Sequence, residues 1–189
     1  MAKLKTLRDG LLEELRVIYS AEHQMLRILP KLTKKATDST LAQALKTHID
    51  ETKGQVERLQ NIAEQLGAKL SGKTCLVTRA FAEQAMAIIA EENSNKALLD
   101  AMLIGAIRRI KSYELAAYNQ VISIAKKVGE IDAAKLLTSS LAEEKAMDLK
   151  LSLMIENWIL ADANNSKREC DEIVDDDQDE QRYFNGFAP

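Results

Sequence analysis

The residues best suited to chemistry are acids placed where a helix should bury apolar side chains. In the first long helical stretch the apolar series runs Leu4, Leu7, Leu11, Leu15, Ile18, then Glu22, then Leu26 and Leu29. Steps of three and four run unbroken, and a glutamate fills one core step. A later stretch reads Leu103, Ile107, Ile110, then Glu114, then Ala117, Val121, Ile124 and Val128. The last reads Leu137, Leu141, then Glu144 and Asp148, then Leu151, Ile155 and Trp158. The second stretch has Leu41, Leu45, then His48, Glu51 or Thr52, Gln55, then Leu59, Ile62 and Leu66. Inward carboxylates from four helices cannot all stay ionised in a low-dielectric core, because each loses hydration and repels the others. Protons, bases or cations must neutralise them, and no Lys or Arg is read in the stripes beside them. Carboxylates and imidazole from facing helices are the donor set of di-iron and di-manganese centres, and hard oxygen donors favour iron or manganese over a thiolate-bound metal. The candidate metal ligands are therefore Glu22, His48, Glu51, Glu114, Glu144 and Asp148.

These acids need long helices to hold them, and the composition supplies little else. The 189 residues include only 7 Gly and 2 Pro, and 46% are hydrophobic against 4% aromatic. Sandwiches and barrels spend Gly and Pro on a turn every 8–12 residues or so, so an all-β fold is excluded. The few breakers set the boundaries. Helices are expected over about 5–36, 40–66, 74–92, 96–128 and 133–160. A Thr6–Asp9 capping box starts the first, and Asp38 or Ser39 caps the second. Gly67 and Gly129 serve as left-handed C-terminal residues. Pro30 should kink the first helix or end its regular part.

Helix geometry then sets the level of the acids. Glu22 and Glu51 lie about 15 residues either side of a turn near residue 37, and Glu114 and Glu144 lie about 15 either side of Gly129. At ~1.5 Å per residue each carboxylate sits about 22 Å from its own turn. Two antiparallel hairpins would thus bring four glutamates to one height. A single buried glutamate is most simply a satisfied structural acid; four at matched height argue for bound cations. His48 is read as either a ligand or a structural hydrogen-bonding group, and Asp148 as a ligand, a group supporting the ligands or an exposed acid. Tyr19, Tyr113 and Tyr118 lie within a turn of Glu22 or Glu114 and could orient carboxylates through their hydroxyls. Cys75 and Cys170 are too few and too far apart for a disulfide framework.

Five segments resemble the YciF/YciE-type ferritin-like proteins, a bacterial stress-associated family. They are residues 15–26 (Leu-Arg-Val-Ile-Tyr-Ser-Ala-Glu-His-Gln-Met-Leu), 48–59 around His48 and Glu51, 72–75 (Gly-Lys-Thr-Cys), 112–118 around Glu114, and 143–148 around Glu144. The resemblance implies an all-α, ferritin-like four-helix bundle of two antiparallel hairpins with a short crossover helix. It also implies a homodimer and a rubrerythrin-like metal position, onto which Glu22, Glu51, Glu114 and Glu144 fall. One departure stands out. Di-metal enzymes of this class carry Glu-x-x-His on two helices, whereas here Gly54 follows Glu51 and Met147 follows Glu144 by three. Such a site is poor in nitrogen ligands.

Charge completes the reading. Of 29 acids and 26 bases, residues 161–189 hold 9 acids and 3 bases, leaving residues 1–160 with 20 acids and 23 bases. Residues 1–160 are expected to form the bundle, and 161–189 a mobile acidic tail. A weakly basic body has no nucleic-acid footprint. No stretch reaches the ~20 apolar residues of a membrane span, and the N-terminus lacks a secretory apolar region. A cytoplasmic homo-oligomer is expected. It would bind one or two iron or manganese ions and serve stress response or metal handling; the alternative is a non-enzymatic interaction bundle with no metal.

Overall fold

The computed structural model describes residues 4–91 and 95–165. Five helices account for nearly all of them: α1 (Leu7–Lys35), α2 (Ser39–Gln65), α3 (Leu76–Ala90), α4 (Lys96–Lys127) and α5 (Ile131–Asn165). No strand occurs among the described residues. Residues 1–154 form one compact unit. Residues 155–165, which are helical, fall in a second. The expected acidic tail lies outside the described residues except for its first five, which continue α5 to Asn165.

The helix ends follow from local chemistry. Thr6 and Asp9 exchange side-chain and backbone hydrogen bonds in the expected capping box, and Asp38 caps α2 by accepting from Leu41 N at 2.7 Å. Gly67 and Gly129 take positive φ (62° and 85°). Beyond them Ala68 N donates to Ala63 O and Glu130 N to Ala125 O, each at 2.9 Å. This is the wrap by which a left-handed residue satisfies the last carbonyls of a helix. Pro30 neither ends α1 nor marks its last turn. The helix continues five residues further, and Thr33 Oγ1 donates to the Leu29 carbonyl at 2.8 Å.

The tight turns fold α1 onto α2 and α4 onto α5 as antiparallel hairpins. The crossover helix α3 packs against α1 and α4 through Thr78, Ala82, Ala85 and Ile89. This is the ferritin-like connectivity expected from the sequence. A core of Leu11, Leu15, Ile18, Leu59, Ile62, Tyr118, Val121, Leu137 and Leu141 fills the half of the bundle nearest the 67 and 129 turns.

The opposite end is tied by a side chain that the periodicity does not single out. Asp100, 2% exposed in the second turn of α4, receives Thr37 N at 2.8 Å, Thr37 Oγ1 at 2.5 Å and Asp38 N at 2.7 Å. One carboxylate thus holds the α1–α2 turn against α4. Replacing Asp100 with Ala removes the shared acceptor of three part-buried hydrogen bonds and is expected to cost roughly 1–2 kcal/mol, read as a lower denaturant midpoint with an unchanged slope.

Candidate functional site

Three of the expected glutamates meet in the interior. Glu22 from α1, Glu114 from α4 and Glu144 from α5 are each at most 1% exposed. From α2 the inward positions are His48, Thr52 and Gln55, all fully buried. Between Glu51 and Thr52, the stripe takes Thr52 inward. Glu51 stands at the rim, its side chain a third exposed, with Oε2 2.9 Å from His48 Nδ1.

The centre of this group is a cation supplied by the chain itself. Lys111 of α4 is fully buried. Its Nζ lies 2.5 Å from Glu144 Oε2, 2.5 Å from Glu114 Oε2 and 2.7 Å from His48 Nε2. The expectation that no base stands beside the acids is therefore wrong. The signal was present: Lys111 is four residues after Ile107 and three before Glu114, so it shares their helix face. A lysine is ordinarily assigned to a solvated face, and that habit hides it.

The partners of this ammonium assign their own protonation. An ammonium only donates, so His48 Nε2 must accept from Lys111 and Nδ1 must carry the proton that goes to Glu51. Burial, and then the Lys111 charge, hold His48 below its usual pKa, which keeps the ring neutral. Burial alone would favour neutral lysine, but the carboxyl groups around it, Glu114 and the anionic Glu144 foremost, outweigh it and hold Lys111 protonated. Glu144 is likewise pushed up by burial. Lys111, His48 and the Gln55 amide, which donates to Oε1 at 2.8 Å, outweigh that and keep it an anion. Glu114 goes the other way: burial lifts it well above the carboxylate range despite Lys111. Glu22 is pushed up to about 8 by burial first and then by the negative Glu144. At neutral pH the cage therefore holds one ion pair, Lys111 with Glu144, and two carboxyls that favour the proton.

The surroundings hold this arrangement in register. Tyr118, fully buried, donates to Glu22 Oε1 at 2.7 Å. Of the three tyrosines it is the one that orients a cage carboxylate. The Tyr113 hydroxyl lies 3.3 Å from Cys75 Sγ, and Tyr19 accepts from Gln60 at 3.1 Å. Arg58 of α2 donates to Ser140 Oγ at 3.0 Å and pairs with Glu143, clamping α2 to α5 beside the cage. Asp148 is not part of it: its Oδ1 pairs with Arg108 Nε at 3.0 Å, with the side chain a quarter exposed. Four residues along α5 carry Asp148 a further turn up the bundle and about 40° round the helix.

These contacts bear on whether the residues as arranged fit a metal. The donors that would ligate an ion, Glu114 Oε2, Glu144 Oε2 and His48 Nε2, already converge on Lys111 Nζ. A divalent ion at their focus would coincide with the ammonium. Among the described residues, no group of three or more His, Cys, Asp or Glu side chains is placed to share an ion. The residues as arranged do not fit a di-metal centre. The cage is nonetheless short of donors. Glu22 Oε2 and both Glu114 oxygens are buried without a hydrogen bond, the Lys111–Glu114 contact being close but not aligned for one.

The raised Glu22 pKa makes stability depend on pH with a definite sign. Below its ordinary value of 4.5, folded and unfolded chains both hold the proton and the full stability is present. As pH rises from there through about 8, the unfolded chain has released a proton that the folded chain retains, so stability falls. Glu22→Gln keeps an acceptor for Tyr118 and removes the titration. The variant should match wild type near pH 5 and gain on it toward pH 8, by on the order of 1 kcal/mol per pH unit. Urea unfolding at a series of pH values reads this, and parallel pH profiles would contradict it.

Comparison with known proteins agrees with the fold. Residues 6–164 match the family described as a domain of unknown function, DUF892. Protein YciF of Escherichia coli K12 is 35% identical over 163 residues, covering 86% of this chain and 98% of that protein. The crystal structure of that stress protein superposes with a TM-score of 0.78, covering 82% of this chain and 97% of the other. YcfI of Rhodopseudomonas palustris, described as a candidate structural protein, is 37% identical with a TM-score of 0.76, covering 80% and 96%. A protein of Xanthomonas campestris shares the fold at 17% identity, with a TM-score of 0.68 and coverage of 86% and 99%. The five resembling segments, the five-helix architecture and these matches agree: the chain belongs to the DUF892 family and is a relative of the stress protein YciF.

Proposed function

We propose that this protein is a non-enzymatic, cytoplasmic interaction bundle of the stress response, whose central acids are neutralised from within rather than by a di-metal cofactor. One observation carries the reading: the Lys111 ammonium sits 2.5–2.7 Å from Glu114, Glu144 and His48, the atoms a metal would need. A buried, ion-paired core of this kind joins helices and specifies their register. It presents neither an open coordination position nor a nucleophile, since Lys111 is held protonated. Iron or manganese bound by Glu22, His48, Glu51, Glu114 and Glu144 is the competing reading. The unpartnered oxygens of Glu22 and Glu114 favour it, and it requires Lys111 to leave the cage.

Protein purified without chelator from metal-replete cells separates the two readings. Well under one equivalent of Fe, Mn or Zn, and a melting temperature unmoved by EDTA, are expected; stoichiometric metal with a chelator-induced drop would overturn the proposal. The proposed associating partner is a second copy of the chain. Leu149 and Leu153 are 60% and 50% exposed one turn apart on α5, and Leu98 and Met102 are 49% and 46% exposed one turn apart on α4. Apolar pairs left on a surface mark association sites more often than scattered single residues do. Wild type is expected to run as a dimer in light-scattering chromatography, and Leu149→Glu/Leu153→Glu to shift it toward monomer without loss of helicity.

A further inference from the structure

Lys111 does the work of a bound cation while belonging to the chain. Its partners come from three helices: Glu114 from α4, Glu144 from α5 and His48 from α2. Two carboxylate oxygens and an imidazole nitrogen are hard and borderline donors of the kind that hold Mn(II), Fe(II) or Zn(II). Close by lie buried oxygens that the ammonium leaves unserved, Glu22 Oε2 and Glu114 Oε1. They belong to fully buried side chains facing the same cluster, since the charges of Glu22, Glu114 and Glu144 act on one another. The cage therefore has more acceptor atoms than one ammonium can satisfy, and the group that blocks their focus is a single flexible side chain.

We infer that Lys111 is the resident cation of a cation-binding cage: it shuts free divalent ions out of the wild-type protein, and its removal opens a site for one of them, held by Glu114, Glu144 and His48 with Glu22 beside them. The inference rests on the metal-free reading of the wild type and extends it, because it says what the acids would do without their internal partner. Truncating Lys111 removes the ammonium together with its stem, leaving a polar space in which an ion and water find several partners. Glu144 then loses its counter-charge, and a divalent ion that displaces the proton of Glu114 to solvent restores neutrality against the two carboxylates. The donors must close by a few tenths of an ångström, from ammonium distance to the ~2.0–2.2 Å of metal bonds, which rotation of the glutamate side chains accomplishes.

The test uses the full chain as wild type, Lys111→Ala, Lys111→Met and Lys111→Ala/Glu144→Gln. Each is dialysed metal-free and titrated with MnCl2 or ZnCl2 by calorimetry, with thermal unfolding at each end point. Lys111→Ala is expected to bind about one equivalent, as a single mononuclear site does, and to melt higher with the ion than without it. Lys111→Met refills the space with an uncharged side chain, and Glu144→Gln removes the anion; both should bind at least about tenfold more weakly than Lys111→Ala, the scale on which supporting groups tune metal affinity. A folded Lys111→Ala that takes up no ion overturns the inference and leaves the metal-free reading of the wild type intact. Stoichiometric, chelator-sensitive metal in the wild type overturns both. Should Lys111→Ala fail to fold without metal, Lys111→Ala/Glu22→Gln carries one buried acid fewer and keeps all three ligands; uptake of an ion by that variant supports the inference, and none overturns it.

Discussion

An ammonium and a carboxylate with no access to water govern the interior of this bundle. Lys111 and Glu144 are both fully buried and 2.5 Å apart. Desolvating two charges costs several kcal/mol per ion unless each finds a complete set of partners, and here the partners are distributed over the fold. His48 and Gln55 from α2 serve the lysine and the glutamate in turn, and Glu114 stands on the same helix as the lysine. The pair holds only while α2, α4 and α5 keep their present rotation and height. A slip of one residue on any of them would strand a charge in an apolar core, so the pair selects one register among several that the leucine stripes would accept.

The remaining acids take their behaviour from that pair. With one positive and one negative charge already present, a second anion has nothing to compensate it. Burial first, and then the shortage of counter-charge, leans Glu22 and Glu114 toward the protonated carboxyl, and Tyr118 gives Glu22 a hydroxyl to hold it in place. The unpartnered oxygens that remain are a strain on stability that a purely structural core would avoid by using leucine. Retaining three buried acids is understandable if the interior is a cation cage whose cation happens to be tethered. At the other end of the bundle Asp100 solves a different problem with the same chemistry, collecting three donors from the α1–α2 turn. Both devices use a buried carboxylate to tie elements that hydrophobic packing alone would leave free to slide.

Much of this was legible in the sequence. Scarce Gly and Pro, unbroken three–four periodicity and capping residues such as Thr6, Asp38, Gly67 and Gly129 are local signals, and they placed the helix ends to within a few residues. Glu22, Glu114 and Glu144 were found because an acid inside an apolar stripe is anomalous whatever surrounds it. Asp148 shows where periodicity weakens: a residue one helical turn from a buried acid shares its face approximately, and 40° of rotation is enough to carry it to Arg108 at the bundle's flank. Glu51 and Thr52 were equivalent on the helical wheel, and packing against the neighbouring helices put threonine inward and glutamate at the rim.

The sequence by itself determined that this chain is a helical bundle of two hairpins with acids at the centre, because helix period, turn chemistry and the distance from each turn are properties of neighbouring residues. Only the tertiary structure decided what neutralises those acids. A lysine beside a stripe can reach solvent or reach inward, since its long stem lets the charge snorkel in either direction. Which it does depends on whether groups from other helices stand within hydrogen-bonding distance. His48, separated from Lys111 by 63 positions, and Glu144, separated by 33, stand there once the hairpins close, and their meeting puts the lysine ammonium at the focus of the central acids.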